Sequence, residues 1–157
     1  MTKKPLILSF EAGPADIQTL AEIDALAFEA ASKPRRWFSK QILGSPDDVV
    51  CYTGSLASTG KTVGYLLMHL SPFGDAMYEG IISRFAVIPQ YQRQGVGSSI
   101  FRTVIAVDRP PNVIRFACMV PEIDLTSQLF LRSQGFKVPG VRGIVNDQYK
   151  FVLTIPQ

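Results

Sequence analysis

The chain of 157 residues is long enough for one domain, because a chain of this size buries about 68–70% of its unfolded surface. A hydrophobic share of 46% and a charged share of 18% are typical of globular proteins, and a net charge of +3 is too small to indicate nucleic-acid binding. Two cysteines and one histidine do not make a zinc pattern, and no apolar run is long enough for a membrane span. We therefore expect no metal, no membrane contact and a cytoplasmic location.

The spacing of apolar residues predicts short strands interspersed with helices. In chain order we expect a strand at 6–10, helices at 15–30 and 37–43, strands at 49–57, 62–71 and 81–88, a helix from residue 95, a strand at 112–120, a helix at 124–134, and strands at 137–141 and 148–155. In the helix at 124–134 we expect Leu125, Leu129 and Phe130 to face inward, and Gly135 fits the position that follows a helix. This order predicts a single α/β domain over residues 1–157, with helices packed on a mixed sheet.

Two glycines stand close together in VIPQYQRQGVGSSIF, residues 87–101, where the predicted strand gives way to a helix. Gly95 and Gly97 have no Cβ, so a ligand can approach the backbone closely. The first N–H groups of a helix are unpaired and carry a partial positive charge. No aspartate or glutamate lies between residues 87 and 107, and the side chains at 92–94 can add donors. The stretch therefore indicates a pyrophosphate cradle, with helix-packing glycines in an ordinary loop as the alternative.

The acyl-CoA signature of the GNAT family of N-acetyltransferases resembles five positions of this stretch, namely Val87, Pro89, Gln92, Gly95 and Gly97. Further along, LFLRSQGF at 129–136 is similar to that family's helix ending in Gly-Phe. WFSKQIL at 37–43 is similar to a helix of its ribosomal-protein alanine acetyltransferase branch. The resemblance implies a mixed, largely antiparallel central sheet of six to seven strands, with a splayed parallel pair and about four flanking helices.

The resemblance also implies an acetyl-CoA site where the strands at 81–88 and 112–120 splay apart. The main chain of Phe85, Ala86 and Val87 would pair with the pantetheine arm, and the N–H of Val87 would stabilise the oxyanion. Asp124 stands where many relatives carry an asparagine that touches pantetheine, with a helix N-cap as the alternative. The pyrophosphate would lie against the loop and the first helical turn, at Gln92, Arg93, Gln94, Gly95, Val96, Gly97 and Ser98.

The proton carriers of the family are the part of the pattern that this sequence lacks. Leu131 stands where many members carry a tyrosine as general acid, and Met119 stands where the ribosomal branch carries a glutamate. Glu79 and Tyr78, just before the strand at 81–88, are the substitutes that we predict, with Glu79 acting as a base through a water molecule. A solvated loop carboxylate is the alternative for Glu79.

The implied activity is the transfer of an acetyl group from acetyl-CoA to a primary amine, by direct attack on the thioester. The amine acceptor can be a small molecule or a peptide. Members of the family often dimerise, so the resemblance also allows a homodimer. Neither nucleic acid nor a membrane is expected as a partner. The missing proton carriers leave a second hypothesis, a non-catalytic acyl-CoA-binding module that retains the cradle.

Overall fold

The computed structural model describes residues 5–44, 47–139, 144–145 and 147–155, and these form four α-helices and seven strands. The helices are α1, Ile17–Phe28; α2, Arg35–Gly44; α3, Val96–Thr103; and α4, Leu125–Ser133. The strands are β1, Ile7–Glu11; β2, Val49–Leu56; β3, Thr62–Pro72; β4, Tyr78–Val87; β5, Val113–Pro121; β6, Ile144–Val145; and β7, Gln148–Thr154. None of the helices in these ranges is long and apolar enough to cross a membrane.

Two compact units share the strands β3 and β4. The first unit takes its described residues from 1–68 and 84–109, and the second takes them from 69–83 and 110–157. Neighbouring strands follow the order β1-β2-β3-β4 in the first unit and β3-β4-β5-β7-β6 in the second. The predicted fold class, a mixed sheet with flanking helices, is confirmed, whereas the assignment of the whole chain to one domain stays a prediction.

In the first unit, α3 packs tightly on the strands. Antiparallel pairing joins β1 to β2 from Ile7↔Leu56 onward, and Ile100 of α3 is fully buried. A Cβ added at Gly54 of β2 would come within 2.5 Å of the Ile100 side chain, so the absence of a side chain at Gly54 lets the helix lie close to the sheet. Val96 and Phe101 are also buried, and these contacts fix the start of α3 relative to the end of β4.

In the second unit, β4 and β5 form the parallel pair that the fold class requires. Their register runs from Glu79↔Arg115 to Ile82↔Cys118, with a bulge between Tyr78 and Glu79. On its other side, β5 pairs antiparallel with β7. Parallel neighbours need a crossover connection, and the chain from 88 to 112, which contains α3, supplies it.

The predicted strand at 137–141 is wrong for the residues that the structure describes. Lys137 makes a single antiparallel bridge with Val152, and Val138 and Pro139 continue without strand structure. Positions 140 and 141 lie outside the described residues. Proline has no N–H to donate to a ladder, which is the physical reason why Pro139 interrupts the predicted strand.

The predicted inner face of α4 is also wrong at two positions. Leu125 is 66% exposed and Leu129 is 68% exposed, whereas Gln128 and Leu131 are buried. Gln128 is satisfied inside because its side-chain amide donates to the carbonyls of Pro121, at 3.1 Å, and of the next residue. The helix end is confirmed, because Gly135 follows it with a φ of 93°.

Candidate functional site

The loop after β4 has an unusual backbone. A short 3-10 turn at Pro89–Tyr91 leads to Arg93, with a φ of 63°, and to Gly95, with a φ of 80°. Glycine adopts this left-handed region readily, but a residue with a Cβ does so at a cost of about 1–2 kcal/mol. The conformation of Arg93 must therefore be imposed by its surroundings. Backbones that alternate between right- and left-handed residues turn successive N–H groups toward a common concave side, which is suited to anions.

Side-chain amides hold this loop in place. The Nε2 group of Gln92 donates to the carbonyl oxygen of Val87 at 2.8 Å, and the Nε2 group of Gln94 donates to the carbonyl oxygen of Gln90 at 2.9 Å. The sequence indicated that both glutamines, together with Arg93, can add donors to a bound anion. In the structure both amides donate to carbonyl oxygens of the loop itself, so they hold the backbone whose N–H groups would face a ligand.

Helix α3 begins directly after the loop. Gly95 is its N-cap residue and makes no side-chain cap, and Gly97 lies in its first turn. The first four N–H groups of an α-helix have no partner within the helix, and together they carry about half a positive charge. The chain from 87 to 107 contains no carboxylate. Local geometry and charge therefore both suit a bound phosphate group.

The end of β4 presents backbone groups on its outer edge in the first unit. The N–H of Ile88 donates to the carbonyl of Val63 at 2.9 Å, on the β3 side. Since the hydrogen-bonding direction alternates along a strand, the N–H groups of Phe85 and Val87 point away from β3. The Phe85 ring packs edge-on against Phe101 of α3, with 4.7 Å between the ring centroids. The N–H of Val87 is thus placed where an extended ligand running along β4 can reach it.

The second unit holds the buried residue Glu79 in an ion-pair cluster with two partly exposed cations. Strand β4 begins at Tyr78, earlier than predicted, so Glu79 lies inside the strand and is only 5% exposed. Its carboxylate lies 2.5 Å from Nε of Arg115 and 3.5 Å from Nζ of Lys150. The alternative of a solvated loop carboxylate is therefore wrong, and a base at Glu79 would have to act while two cations hold its carboxylate. Tyr78 is 37% exposed.

Three further positions of the second unit bear on the predicted chemistry. The carboxylate of Asp124 caps α4, accepting from the N–H of Ser127 at 3.1 Å and from the Ser127 hydroxyl at 2.7 Å. A pantetheine contact by Asp124 would have to share this carboxylate. Leu131 is 3% exposed and Met119 is 37% exposed, and neither side chain can carry a proton.

Comparison with known proteins identifies the class of protein. The family model described as the acetyltransferase (GNAT) family matches residues 17–136, so the chain belongs to the GNAT family. No curated protein is matched in sequence. Solved structures of low sequence identity share its fold.

Three structural neighbours illustrate this fold. The ribosomal-protein-S18-alanine N-acetyltransferase from Escherichia coli has a TM-score of 0.75 at 17% identity, covering 97% of this chain and 96% of that one. Arabidopsis thaliana NAA60 in complex with acetyl-CoA has a TM-score of 0.71 at 14% identity, covering 96% and 99%. The PaiA N-acetyltransferase from Thermoplasma acidophilum in complex with coenzyme A has a TM-score of 0.69 at 14% identity, covering 95% and 99%.

Proposed function

We propose that this protein is an N-acetyltransferase that moves the acetyl group of acetyl-CoA to a primary amine. The observation that carries the proposal is the loop with left-handed Arg93 and Gly95, which leads into the N-terminus of α3. It is supported by membership of the GNAT family and by neighbours whose structures contain acetyl-CoA or coenzyme A. A cytoplasmic location and a homodimer stay predictions.

In this proposal the cofactor is held by the main chain. The N–H groups from Arg93 to Ser98 bind the pyrophosphate, and the glycines leave room for its oxygens. The backbone of Phe85 to Val87 pairs with the amides of the pantetheine arm, which resembles adding a strand to an edge. These residues suit the ligand because Arg93 and Gly95 have left-handed backbones, no carboxylate is near in sequence, and the alternation along β4 turns the Val87 N–H away from β3.

The proposed reaction needs little from the side chains. The neutral amine nitrogen attacks the thioester carbonyl carbon, and the carbonyl oxygen becomes an oxyanion that the N–H of Val87 stabilises. The C–S bond then breaks, and the proton lost by the amine nitrogen is taken up by the coenzyme A thiolate. The products are the amide and free coenzyme A. Holding both reactants in line supplies much of the rate enhancement.

Without an efficient base, the pKa of the acceptor decides the rate. An α-amine has a pKa of about 7.7–8.0 and a lysine side chain about 10.4, so at pH 7.5 about a third of an α-amine is neutral, against about one lysine in a thousand. The proposal therefore favours acceptors of low pKa, such as the N-terminus of a peptide. The E. coli neighbour is named as an N-acetyltransferase of an alanine of ribosomal protein S18.

Two measurements test this function. Calorimetry should show coenzyme A binding to the folded protein, and release of free thiol from acetyl-CoA should depend on an added amine, tested with peptides, polyamines and lysine derivatives. No binding of coenzyme A would contradict the proposal at its foundation.

A second candidate is the non-catalytic acyl-CoA-binding module. It is favoured by Leu131, which is buried in the core, and by Met119, because the resemblance implies proton carriers at these two positions and neither side chain can carry a proton. Coenzyme A binding without thiol release across the whole amine panel would select this candidate. Turnover with any amine would reject it.

A further inference from the structure

Strand β1 is an open edge of the sheet in the first unit. It pairs with β2 on one side, and no described strand pairs with its other side. The carbonyl oxygen of Leu6 accepts from the N–H of Ala57 at 2.9 Å, and the N–H of Ala12 donates to the carbonyl oxygen of Cys51 at 2.7 Å. Because the bonding direction alternates along an antiparallel strand, the even-numbered residues of β1 bond to β2. The backbone N–H and C=O groups that point outward are then those of Ile7, Ser9 and Glu11.

Nothing within β1 blocks pairing along this outer side. Edge strands are commonly protected by proline, by lysine or by a bulge. Between Ile7 and Glu11 there is no proline and no lysine, and the register with β2 runs without a shift. Just outside the strand, Pro5 has no N–H, and the N–H of Gly13 donates to Oδ2 of Asp16 at 2.8 Å. The backbone groups free to pair are therefore confined to the strand itself.

One face of β1 exposes a row of large apolar side chains. Leu6, Leu8 and Phe10 are between 44% and 71% exposed, and as alternate residues they share one face of the strand. The other face carries the buried Ile7 and is covered by α3. Single exposed apolar residues are common on protein surfaces, but a contiguous row of them marks an interaction site. Here the row lies directly beside unpaired backbone groups.

Ser9 carries an unsatisfied polar atom in the middle of this edge. Its hydroxyl oxygen is buried and has no hydrogen-bond partner among the described residues. A buried hydroxyl without a partner is costly, and it is rare in native folds. Ser9 is also the central one of the three residues whose backbone groups point outward. A strand laid on this edge would therefore approach Ser9 directly.

We propose that β1 is the interface of a homodimer, in which the partner's β1 pairs antiparallel with it around a two-fold axis at Ser9. Ser9 then lies opposite the partner's Ser9, and the two hydroxyls can hydrogen-bond to each other, as hydroxyl side chains do across neighbouring strands. In the same ladder Ile7 lies opposite the partner's Glu11. Every outward N–H of one copy then meets an outward C=O of the other.

The apolar face of β1 fits the same register. With Ser9 on the axis, Leu8 lies directly opposite the partner's Phe10, with a Cβ separation of about 4.5–5.5 Å, so the two side chains cover each other. Glu11 is the only charged residue of β1 and lies about 14 Å along the strand from its counterpart, beyond the Debye length of about 8 Å. The edge is therefore complementary to itself, which favours a second copy of this chain over an unrelated strand.

The dimer should be weak, because its ladder is short. A standard stable interface uses about 20–30 residues from each partner, whereas β1 has five. We expect a Kd of about 1–100 µM, so sedimentation velocity of the full chain between about 1 and 500 µM should show monomer passing into dimer. The dimer would form whether or not the protein acetylates an amine, so its failure and that of the proposed function are read separately.

A lysine at position 10 tests the interface. Phe10→Lys places a charge opposite the partner's Leu8, and Phe10 is exposed in the single copy, so the fold should tolerate the change. Each dimer loses two apolar pairs, and at about tenfold for each pair the Kd should rise about 100-fold. Leu129→Lys is the matched control, since it makes the same kind of change at an exposed residue of α4. It should leave the Kd within about twofold.

A disulfide reads the register. Opposite residues of a non-hydrogen-bonded pair have Cα atoms about 4.5 Å apart, which a disulfide can span. Leu8→Cys protein mixed with Phe10→Cys protein and oxidised should form a dimer linked through the two introduced thiols. Either variant alone should form much less, because identical positions are then diagonal neighbours about 7–8 Å apart. Cys51 and Cys118 are present in every sample and set the background.

Several results would overturn the dimer at β1. One is a wild-type protein that stays monomeric throughout the concentration series, and another is a dimer as tight in Phe10→Lys as in wild type. Dissociation by Leu129→Lys alone would move the interface to α4. A monomer that captures an extended peptide on β1 would replace the second copy by another partner. If Phe10→Lys loses its circular dichroism spectrum, the disulfide decides, and a crossed yield no higher than that of the single variants rejects the register.

Discussion

Replacing Gly97 with alanine separates a structural glycine from one kept for a ligand. Gly97 lies in the first turn of α3, and it is not among the glycines with positive φ. Helical backbone suits alanine better than glycine by about 0.5–1 kcal/mol. On structural grounds alone, Gly97→Ala should therefore raise the free energy of unfolding by about that amount. For a chain of this size the melting temperature should rise by about 2–4 °C per kcal/mol.

Binding of coenzyme A should change in the opposite direction. An N–H donor reaches a phosphate oxygen at about 2.9 Å, whereas a carbon atom keeps an oxygen about 3.3–3.6 Å away. A methyl group at Gly97 would stand among the first-turn amides and hold the oxygens off. We expect the Kd for coenzyme A, measured by calorimetry, to rise at least about tenfold, which corresponds to about 1.4 kcal/mol. Coenzyme A binding at wild-type strength would refute the cradle at this residue.

Gly95 supplies a second test of the loop, and Gly60 supplies its matched control. Gly95→Ala forces an alanine to a φ of 80°, and Gly60→Ala forces one to 75° in a turn where an added Cβ would meet nothing within 4 Å. Both should lose roughly 1–2 kcal/mol of stability from the same backbone strain. Only the Gly95 variant should also lose coenzyme A affinity. An equal loss in both variants would show that general destabilisation, and not the loop, explains weaker binding.

Three more predictions concern titration. Burial raises the pKa of Cys118 to about 11, so only about 0.1% of this thiol is ionised at pH 8. Its reaction with a disulfide reagent should therefore be much slower than that of a free thiol. A rapid phase at the rate of a free thiol would contradict this prediction. Burial alone would raise the pKa of Asp24, but hydrogen bonds from Arg84, Tyr65 and the N–H of Lys33 leave it lowered. The lowered pKa of Asp24 stabilises the fold above its ordinary value of 3.8 and ceases to do so as pH falls through the lower folded value. The stability gap between wild type and Asp24→Asn, measured by denaturant unfolding, should thus be constant from pH 5 to 8 and narrow below about pH 4. Finally, acetylation of an α-amine peptide should exceed that of a lysine side chain by about 250-fold at pH 7.5, and this ratio should fall about tenfold between pH 7.5 and 9. A lysine rate independent of pH would point to a base on the protein.

The sequence predicted those parts of the site that depend on local chemistry. The apolar run before Gly95 and Gly97, and the helical spacing of apolar residues after them, predicted a strand, a loop and a helix. The structure has all three. The start of β4 was missed because Tyr78 and Glu79 follow a turn-rich segment and carry no alternation of their own. Glu79 is buried inside β4, where Arg115 of β5 and Lys150 of β7 pair with its carboxylate.

The ion pair of the buried Asp24 with Arg84 could not have been predicted from the sequence. The two residues are 60 positions apart, and an aspartate on an amphipathic helix normally indicates the solvent side. The prediction of the buried face of α4 was wrong for a related reason. Its exposed leucines and its buried Gln128 differ from the pattern because two carbonyls at the end of β5 accept from that amide. Long-range polar pairing decides such positions, and a local pattern contains no record of it.

The loop before α3 also bears on how this protein can change over generations. Its glutamine amides donate to neighbouring carbonyls, and in the proposed site the coenzyme is held by main-chain N–H groups, which every amino acid except proline has. Most side chains of this loop could therefore be substituted without loss of binding, provided that the backbone conformation of the loop is kept. A library randomised at positions 93 and 98 should contain many variants that bind coenzyme A.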